Sequence, residues 1–297
     1  MDTVNISKLD NFEELSDLLK VENKAQRELV RLFRIFGFQH LVSQLKCEKK
    51  AGISVVTLLI ALLITRLWGK TIHAAQITHF NGLLSVDDNT FYRFFSKPEM
   101  NWRSLMTRVV GRFFTIIAKY GNNVTQDALY YILDDTTLKK TGATIEGVSR
   151  VFDHVSKQFI LGYKLLTLAI SDGTSPIAVD FSLHRERGKN GNYGLTDNEA
   201  RRMNSTKRSA ENPDYQRLVE SEKSKIDTAI TMLKNAWKNG IRAKYLLADS
   251  WFFSATILHA VRSIGNGSVH YLGLAKLNRT RYLVNPNFRI QKYCIIH

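Results

Sequence analysis

One change of texture constrains this chain more than any other feature. Up to about Gly121 its apolar residues recur at helical spacing, and after Gly121-Asn122-Asn123 they gather into short runs of strand length. The first part predicts helices over residues 12–19, 24–36, 55–68, 90–95 and 102–120, with no alternating strand pattern in competition. Ser85, with Asp88 three residues on, makes a capping-box-like start for the helix carrying Phe91, Tyr92, Phe94 and Phe95, and Pro98 ends it. The second part predicts strands over residues 128–133, 165–170, 177–181, 245–248 and 269–275. A long helix over residues 215–239, stopped by Asn239-Gly240, precedes the fourth strand, and another helix begins after Asp249.

The second part therefore runs strand, hairpin of two strands, helix, strand, helix, strand, with the hairpin turning at Asp172-Gly173. In a mixed sheet with helices on its faces this is the order of a ribonuclease-H-like α/β domain, here preceded by an all-α N-terminal domain. Asp134 and Asp135 close the first strand and Asp249 closes the fourth. In that order the two strands are parallel neighbours, so carboxylates at their C-terminal ends meet at one edge of the sheet. Two such oxygens suit Mg²⁺, a hard cation, and a pair of ions there would activate a water or a 3′-hydroxyl in phosphodiester cleavage. The same residues also read as plain structure. Asp-Asp-Thr-Thr after a strand is a good turn, and Asp249-Ser250 ahead of Trp251-Phe252-Phe253 is a good helix N-cap.

Charge points to the partner. Forty-two Lys and Arg against 27 Asp and Glu in 297 residues leave a net charge of +15, which favours a polyanion. Arg185, Arg187, Lys189, Arg201, Arg202, Lys207 and Arg208 crowd a Gly- and Asn-containing insert near residues 185–212, which reads as a flexible segment following a phosphate backbone or as a solvated loop. Residues 85–95, with a preceding helix, form a candidate helix-turn-helix, although Phe91, Phe94 and Phe95 read as core. The apolar stretch over residues 51–65 is too short for a bilayer span and reads as a buried helix, and the N-terminus lacks the order of a signal peptide, so a cytoplasmic location is expected. Cys47 and Cys294 have no CxxC or Cys/His companions, and the histidines form no HxH or HExxH pattern, which disfavours a zinc site. No GxxxxGK[ST] loop or GxSxG elbow appears.

The stretch Tyr130-Tyr131-Ile132-Leu133-Asp134-Asp135-Thr136-Thr137, followed by Lys139-Lys140-Thr141-Gly142 and later by Leu246-Leu247-Ala248-Asp249-Ser250-Trp251-Phe252, resembles the insertion-sequence DDE transposases. Within them it is most similar to the IS-four-like cut-and-paste group, whose third acid lies in a Tyr, Arg, Glu, Lys signature. The similarity runs from about Lys24, through Phe91-Tyr92-Arg93-Phe94 and Asn101-Trp102, to about Val284. It implies catalytic and metal-ligating roles for Asp135 and Asp249, with Asp134 competing for the first place because one residue of register flips which side chain faces the metals. It also implies Mg²⁺ or Mn²⁺ as cofactor, double-stranded DNA (element ends and target) as partner, a homodimer in synapsis, no membrane, and a bacterial, nucleoid-associated setting. The domains expected are residues 1–122 for end binding, 123–284 for catalysis and 285–297 as a divergent tail. From Ser250 to His297 there is no Asp or Glu. The resemblance therefore implies an incomplete catalytic domain, truncated before the catalytic Glu, with little or no strand transfer. The alternative is a non-catalytic DNA-binding fragment that occupies element ends and inhibits the full-length enzyme.

Overall fold

The computed structural model describes residues 24–45, 47, 53–67, 69, 71–75, 87–120, 124–186, 189–190, 193–203, 207–275 and 295–296. The helix expected over residues 12–19 and the cap expected at Ser85 lie outside them. The chain divides into two compact units, residues 1–105 and 106–297.

The regular elements described in the first unit are helices: α1 (Lys24–Phe36), α2 (Phe38–Ser43), α3 (Val55–Leu67), α4 (Ile72–Ala75), α5 (Asp88–Phe95) and the start of α6 (Trp102–Lys119). Gly37 separates α1 from α2 in the left-handed conformation (φ 59°) that glycine adopts without steric cost. In α3, Leu58, Leu59, Ile60, Ala61 and Ile64 are all buried, as expected of a helix that is apolar nearly all round. Among the described residues no helix is long and apolar enough to cross a membrane. Asp87 caps α5 by accepting the Asn89 N–H. Phe91 and Phe94 are buried as expected, whereas Phe95 is 41% exposed and lies 6.0 Å from the Trp102 ring. Further along α6, Val110 is buried in the core of the second unit, so this helix does not end with the first unit at residue 105.

The second unit is built on a mixed sheet of β1 (Tyr130–Lys139), β2 (Ser149–Asp153), β3 (Gln158–Ser171), β4 (Ile177–His184), β5 (Lys189–Asn190), β6 (Tyr193–Gly194), β7 (Tyr245–Ala248), β8 (His270–Gly273) and β9 (Ile295–Ile296). The long β3 runs antiparallel to β1 along one edge, while its other edge takes β2 first and β4 after it. On the far side of β1, β7 and β8 are parallel to it and to each other. The central order β4-β3-β1-β7-β8 is compatible with a ribonuclease-H-like domain. Helices α7 (Asp197–Arg202), α8 (Pro213–Glu220), α9 (Lys225–Lys238) and α10 (Ala255–Ser263) complete the unit.

The core lies on one face of the sheet. Tyr131 and Leu133 of β1, Leu166, Leu168 and Ile170 of β3, and Leu246 of β7 pack with Ala229, Met232, Leu233 and Ala236 of α9 and with Ile257 and Val261 of α10. The period-2 alternation along β1 and β3 delivers those residues to one side. The buried Tyr131 hydroxyl donates to the Ile241 carbonyl at 2.6 Å, tying the approach to β7 under β1, and burial pushes its pKa up.

Four differences from the sequence expectation bear on the second unit's sheet, helices and insert. First, β1 does not end at Leu133 but continues through both aspartates to Lys139, because β3 supplies a partner as far as Gly162. Second, the helix expected over residues 215–239 is two helices, α8 and α9. Ser224 caps α9 by accepting the Ile226 N–H, and the Ser221 carbonyl is taken by the Arg185 N–H at 3.0 Å. Third, β2 and the first half of β3 form an unanticipated hairpin, whose Asp153 carboxylate accepts from the Ser156 N–H and O–H. Fourth, the described part of the basic insert is folded. It holds β5, β6 and α7, and Thr196 and Glu199 close a capping box at the start of α7.

Candidate active site

The parallel β1·β7 ladder ends at the pair Leu133 and Ala248. Asp134 and Asp249 are the next residue of each strand, so this register carries both acids to the same edge of the sheet. Pleating separates the two neighbours in β1: Asp135 follows Tyr131 and Leu133 on the helix-covered face, and Asp134 is exposed on the other. Asp134 bends back on the chain, its Oδ1 accepting the Asp135 N–H at 2.8 Å.

Asp135 is ion-paired with Lys225, the first residue of α9, and the two side chains are only 17% and 19% exposed. The Lys225 ammonium lies 3.8 Å from the centroid of the Trp251 ring. The backbone N–H of Trp251 donates to Asp249 Oδ1 at 2.9 Å. A continuous chain of contacts, Asp135 to Lys225 to Trp251 to Asp249, thus links β1 and the turn after β7 just past the end of their ladder. Phe252 and Phe253 hold this turn down. Both are buried in the core, and the Phe252 N–H returns to the Asp249 carbonyl at 3.2 Å. Asp249 therefore starts a tight turn and not a helix; α10 begins later, capped by Ser254.

More polar side chains continue from Asp135 along the same face. Lys164, buried on β3, donates to Thr137 Oγ1 at 2.9 Å. Ser182 donates to Glu220. His184 is buried with Nδ1 at 3.3 Å from the Lys223 carbonyl and Nε2 without a hydrogen-bond partner, and burial lowers its pKa. On the β8 side, the Tyr271 hydroxyl approaches the Asp249 carbonyl at 3.4 Å. Its pKa is raised by burial and then by the nearby Asp249 charge.

The donors that the register brings to this edge on the helix-covered side, Asp135 and Asp249, are carboxylate oxygens, the chemistry of a hard divalent cation that completes its shell with water and substrate phosphate, while Asp134 faces the other side. Among the described residues no group of three or more His, Cys, Asp or Glu stands together as a metal site.

The basic insert divides by what its arginines touch. Arg208, with 14% of its side chain exposed, makes paired hydrogen bonds to both oxygens of Glu146 and reaches Asp214 through Nε. Arg185 is ion-paired with Glu222. Arg201 and Arg202, in the last turn of α7, and Lys207 are exposed. Arg187 and the Lys189 side chain lie outside the described residues. Lys225 is the residue that motif reading passes over. Its signal was its place: a lysine directly after the N-cap Ser224, where the helix dipole favours acids.

The model of the DDE superfamily endonuclease family matches residues 83–293. The chain belongs to this family. The match begins after the Lys24 at which motif similarity starts, and it runs past Val284 into the segment expected to diverge. No curated protein sequence matches the chain. For a DDE superfamily endonuclease the substrate is DNA, and nucleases of this superfamily typically use divalent metals.

Proposed function

We propose that this DDE endonuclease is a transposase of a bacterial insertion sequence of the cut-and-paste group. Its reaction is metal-dependent hydrolysis at the element ends followed by strand transfer into target DNA. The observation that supports the reading is that Asp135 and Asp249 lie just past the end of the parallel β1·β7 ladder, linked through Lys225 and Trp251, inside the family match. Asp135 and Asp249 would hold Mg²⁺ or Mn²⁺, whereas Asp134, on the opposite face of β1, would stay outside the ligand set. The bound metal supplies Lewis-acid stabilisation of the phosphoryl oxygens and an activated water. The chain's own part is positional: the β1·β7 register sets the spacing of the acids, and the Trp251 N–H orients Asp249 Oδ1.

Exposed Arg201, Arg202 and Lys207, with Arg187 and Lys189 earlier in the same insert, follow the phosphate backbone of double-stranded DNA. Arg185 and Arg208 brace the fold through carboxylates. The helical first unit binds the element ends, and a homodimer brings two ends together at the bacterial nucleoid.

A second reading has its own observation. Residues 250–297 carry no Asp or Glu, so the segment following β7 brings no third carboxylate to the edge within those positions. On this reading the chain occupies element ends without cutting them and competes with an active transposase.

The experiment is a nicking assay with Mg²⁺ or Mn²⁺ on supercoiled plasmid carrying the DNA that flanks the coding sequence. Nicking that disappears in both Asp135→Asn and Asp249→Asn supports the enzyme. Salt-sensitive binding to the same DNA without nicking supports the occupant. Nicking that survives both substitutions refutes the site.

A further inference from the structure

Lys225 is costly where it stands. It is a cation in the first turn of α9, at the positive end of the helix dipole, with its side chain mostly withdrawn from water. Helix formation does not ask for it, since Ser224 already caps the helix. What compensates it lies outside the helix: the Asp135 carboxylate on one side and the face of the Trp251 ring on the other. The contacts arrive from β1, from the start of α9 and from the turn after β7, three segments far apart in sequence.

We propose that Lys225 is the internal counter-ion of the carboxylate edge and competes with the divalent cation for Asp135. This rests on the metal-binding reading of Asp135 given above. The Lys225 ammonium neutralises Asp135 while no cation is bound, which keeps β1 and β7 from presenting two uncompensated acids at one edge. Entry of the divalent cation breaks the Asp135–Lys225 pair, and the displaced ammonium, swinging on its four-carbon stem, becomes available to a DNA phosphate. Metal loading and DNA binding are thereby coupled: a phosphate that accepts Lys225 lowers the cost of releasing Asp135. Lys225 is on this account a positioning residue, acting on the metal through Asp135.

The test is Mn²⁺ binding by the full chain, followed by electron paramagnetic resonance at one fixed pH without DNA. Lys225→Met keeps much of the apolar stem over Trp251 and removes the competing charge, so it should bind Mn²⁺ about tenfold more tightly than wild type. Lys225→Arg retains the charge and should stay near wild type. A short DNA duplex should tighten Mn²⁺ binding in wild type and leave Lys225→Met unchanged. A second readout needs no activity either. Mg²⁺ should change tryptophan emission in wild type as the ammonium leaves the ring, and the change should vanish in Trp251→Phe and in Lys225→Met. Mn²⁺ affinity in Lys225→Met that is unchanged or weaker, with thermal melting close to wild type, overturns the competition. Should Lys225→Met fold poorly, a Lys225→Arg protein that binds Mn²⁺ tenfold more tightly than wild type overturns it equally. Asp135→Asn separates the two proposals. If it leaves wild-type Mn²⁺ affinity intact, the metal reading of Asp135 is at fault; if it abolishes binding while Lys225→Met changes nothing, only the role of Lys225 fails.

Discussion

The basic insert offers a direct contest between scaffold and DNA contact, and Arg208 decides it. The Arg208 guanidinium spends Nη1 and Nη2 on Glu146 and Nε on Asp214, and the three side chains are between 14% and 23% exposed. Asp214 Oδ1 is already buried without a partner, so losing Arg208 leaves both oxygens of Asp214 and both of Glu146 short of a cation. Breaking a largely buried ion pair from one side costs about 3 kcal/mol or more, because the abandoned carboxylates remain desolvated. For a unit of this size that corresponds to a fall in melting temperature of about 6 to 12 °C for Arg208→Met. The assay is thermal melting of the full chain by circular dichroism, beside DNA binding over a series of salt concentrations. Adding Glu146→Gln to Arg208→Met should recover about 1 kcal/mol, because a neutral amide is cheaper to leave unpaired than a carboxylate. Lys207→Ala should behave oppositely, with melting unchanged and the salt slope of DNA binding reduced by about one counterion. An Arg208→Met protein that melts within about 2 °C of wild type but loses a unit of salt slope would refute the scaffold assignment.

Three other perturbations follow from the same geometry. At Gly162, where β1 pairs on one side of β3 and β2 on the other, an added Cβ would lie 2.1 Å from the Leu138 carbonyl oxygen. Gly162→Ala must therefore push the exit of β1 back by about 1 Å and should cost about 2 kcal/mol in urea denaturation, a prediction lost if the variant matches wild type. Gly111→Ala, on the α6 helix with nothing within 4 Å of the new methyl, should stabilise by about 0.5 to 1 kcal/mol. Glu199 is held down to about 2 by the Arg150 guanidinium first and by the Thr196 N–H and hydroxyl next. A carboxylate depressed in the folded state contributes stability that is complete above its ordinary 4.5 and drains away as pH falls toward 2. Glu199→Gln should flatten the acid limb of the melting profile over that window, and an unaltered limb would count against the pair.

What the sequence shows of the fold depends on whether an element is made locally or by its neighbours. Helix α3 is legible because its apolar residues run almost all round the helix, and α1, α5 and α6 because their spacing is helical. The strands β4 and β7 are legible as apolar runs of the right length. The β2 strand, Ser149-Arg150-Val151-Phe152-Asp153, is not, since only two of its residues are apolar and its extended form is imposed by pairing with β3. The same holds for the continuation of β1 past Leu133: Asp-Asp-Thr-Thr reads as a turn until β3 supplies partners for each residue. The break between α8 and α9 comes from the Ser224 cap and from the Arg185 N–H claiming the Ser221 carbonyl, and the second of these is a tertiary contact that no helical periodicity reports.

The site divides along the same line. That Asp135 and Asp249 approach one edge follows from strand order, which local pattern encodes. Lys225 stands between them only because α9 crosses the sheet with its first residue over Asp135, ninety positions away in sequence. Net charge has the same blind spot. A surplus of +15 marks the chain as a binder of polyanions, yet it counts Arg150, Arg185 and Arg208 together with Arg201, Arg202 and Lys207. The first three are engaged by Glu199, Glu222, Glu146 and Asp214 inside the protein. An arginine with a carboxylate partner at close range contributes little field at the surface, so among the described residues of the insert the exposed positive charge is concentrated on Arg201 and Arg202 of α7 and on Lys207. That concentration carries its own consequence. Removing Arg201, Arg202 and Lys207 together should lower the salt slope of DNA binding by about three without changing the melting temperature. A triple variant that melts early would instead place these residues in the scaffold with Arg208.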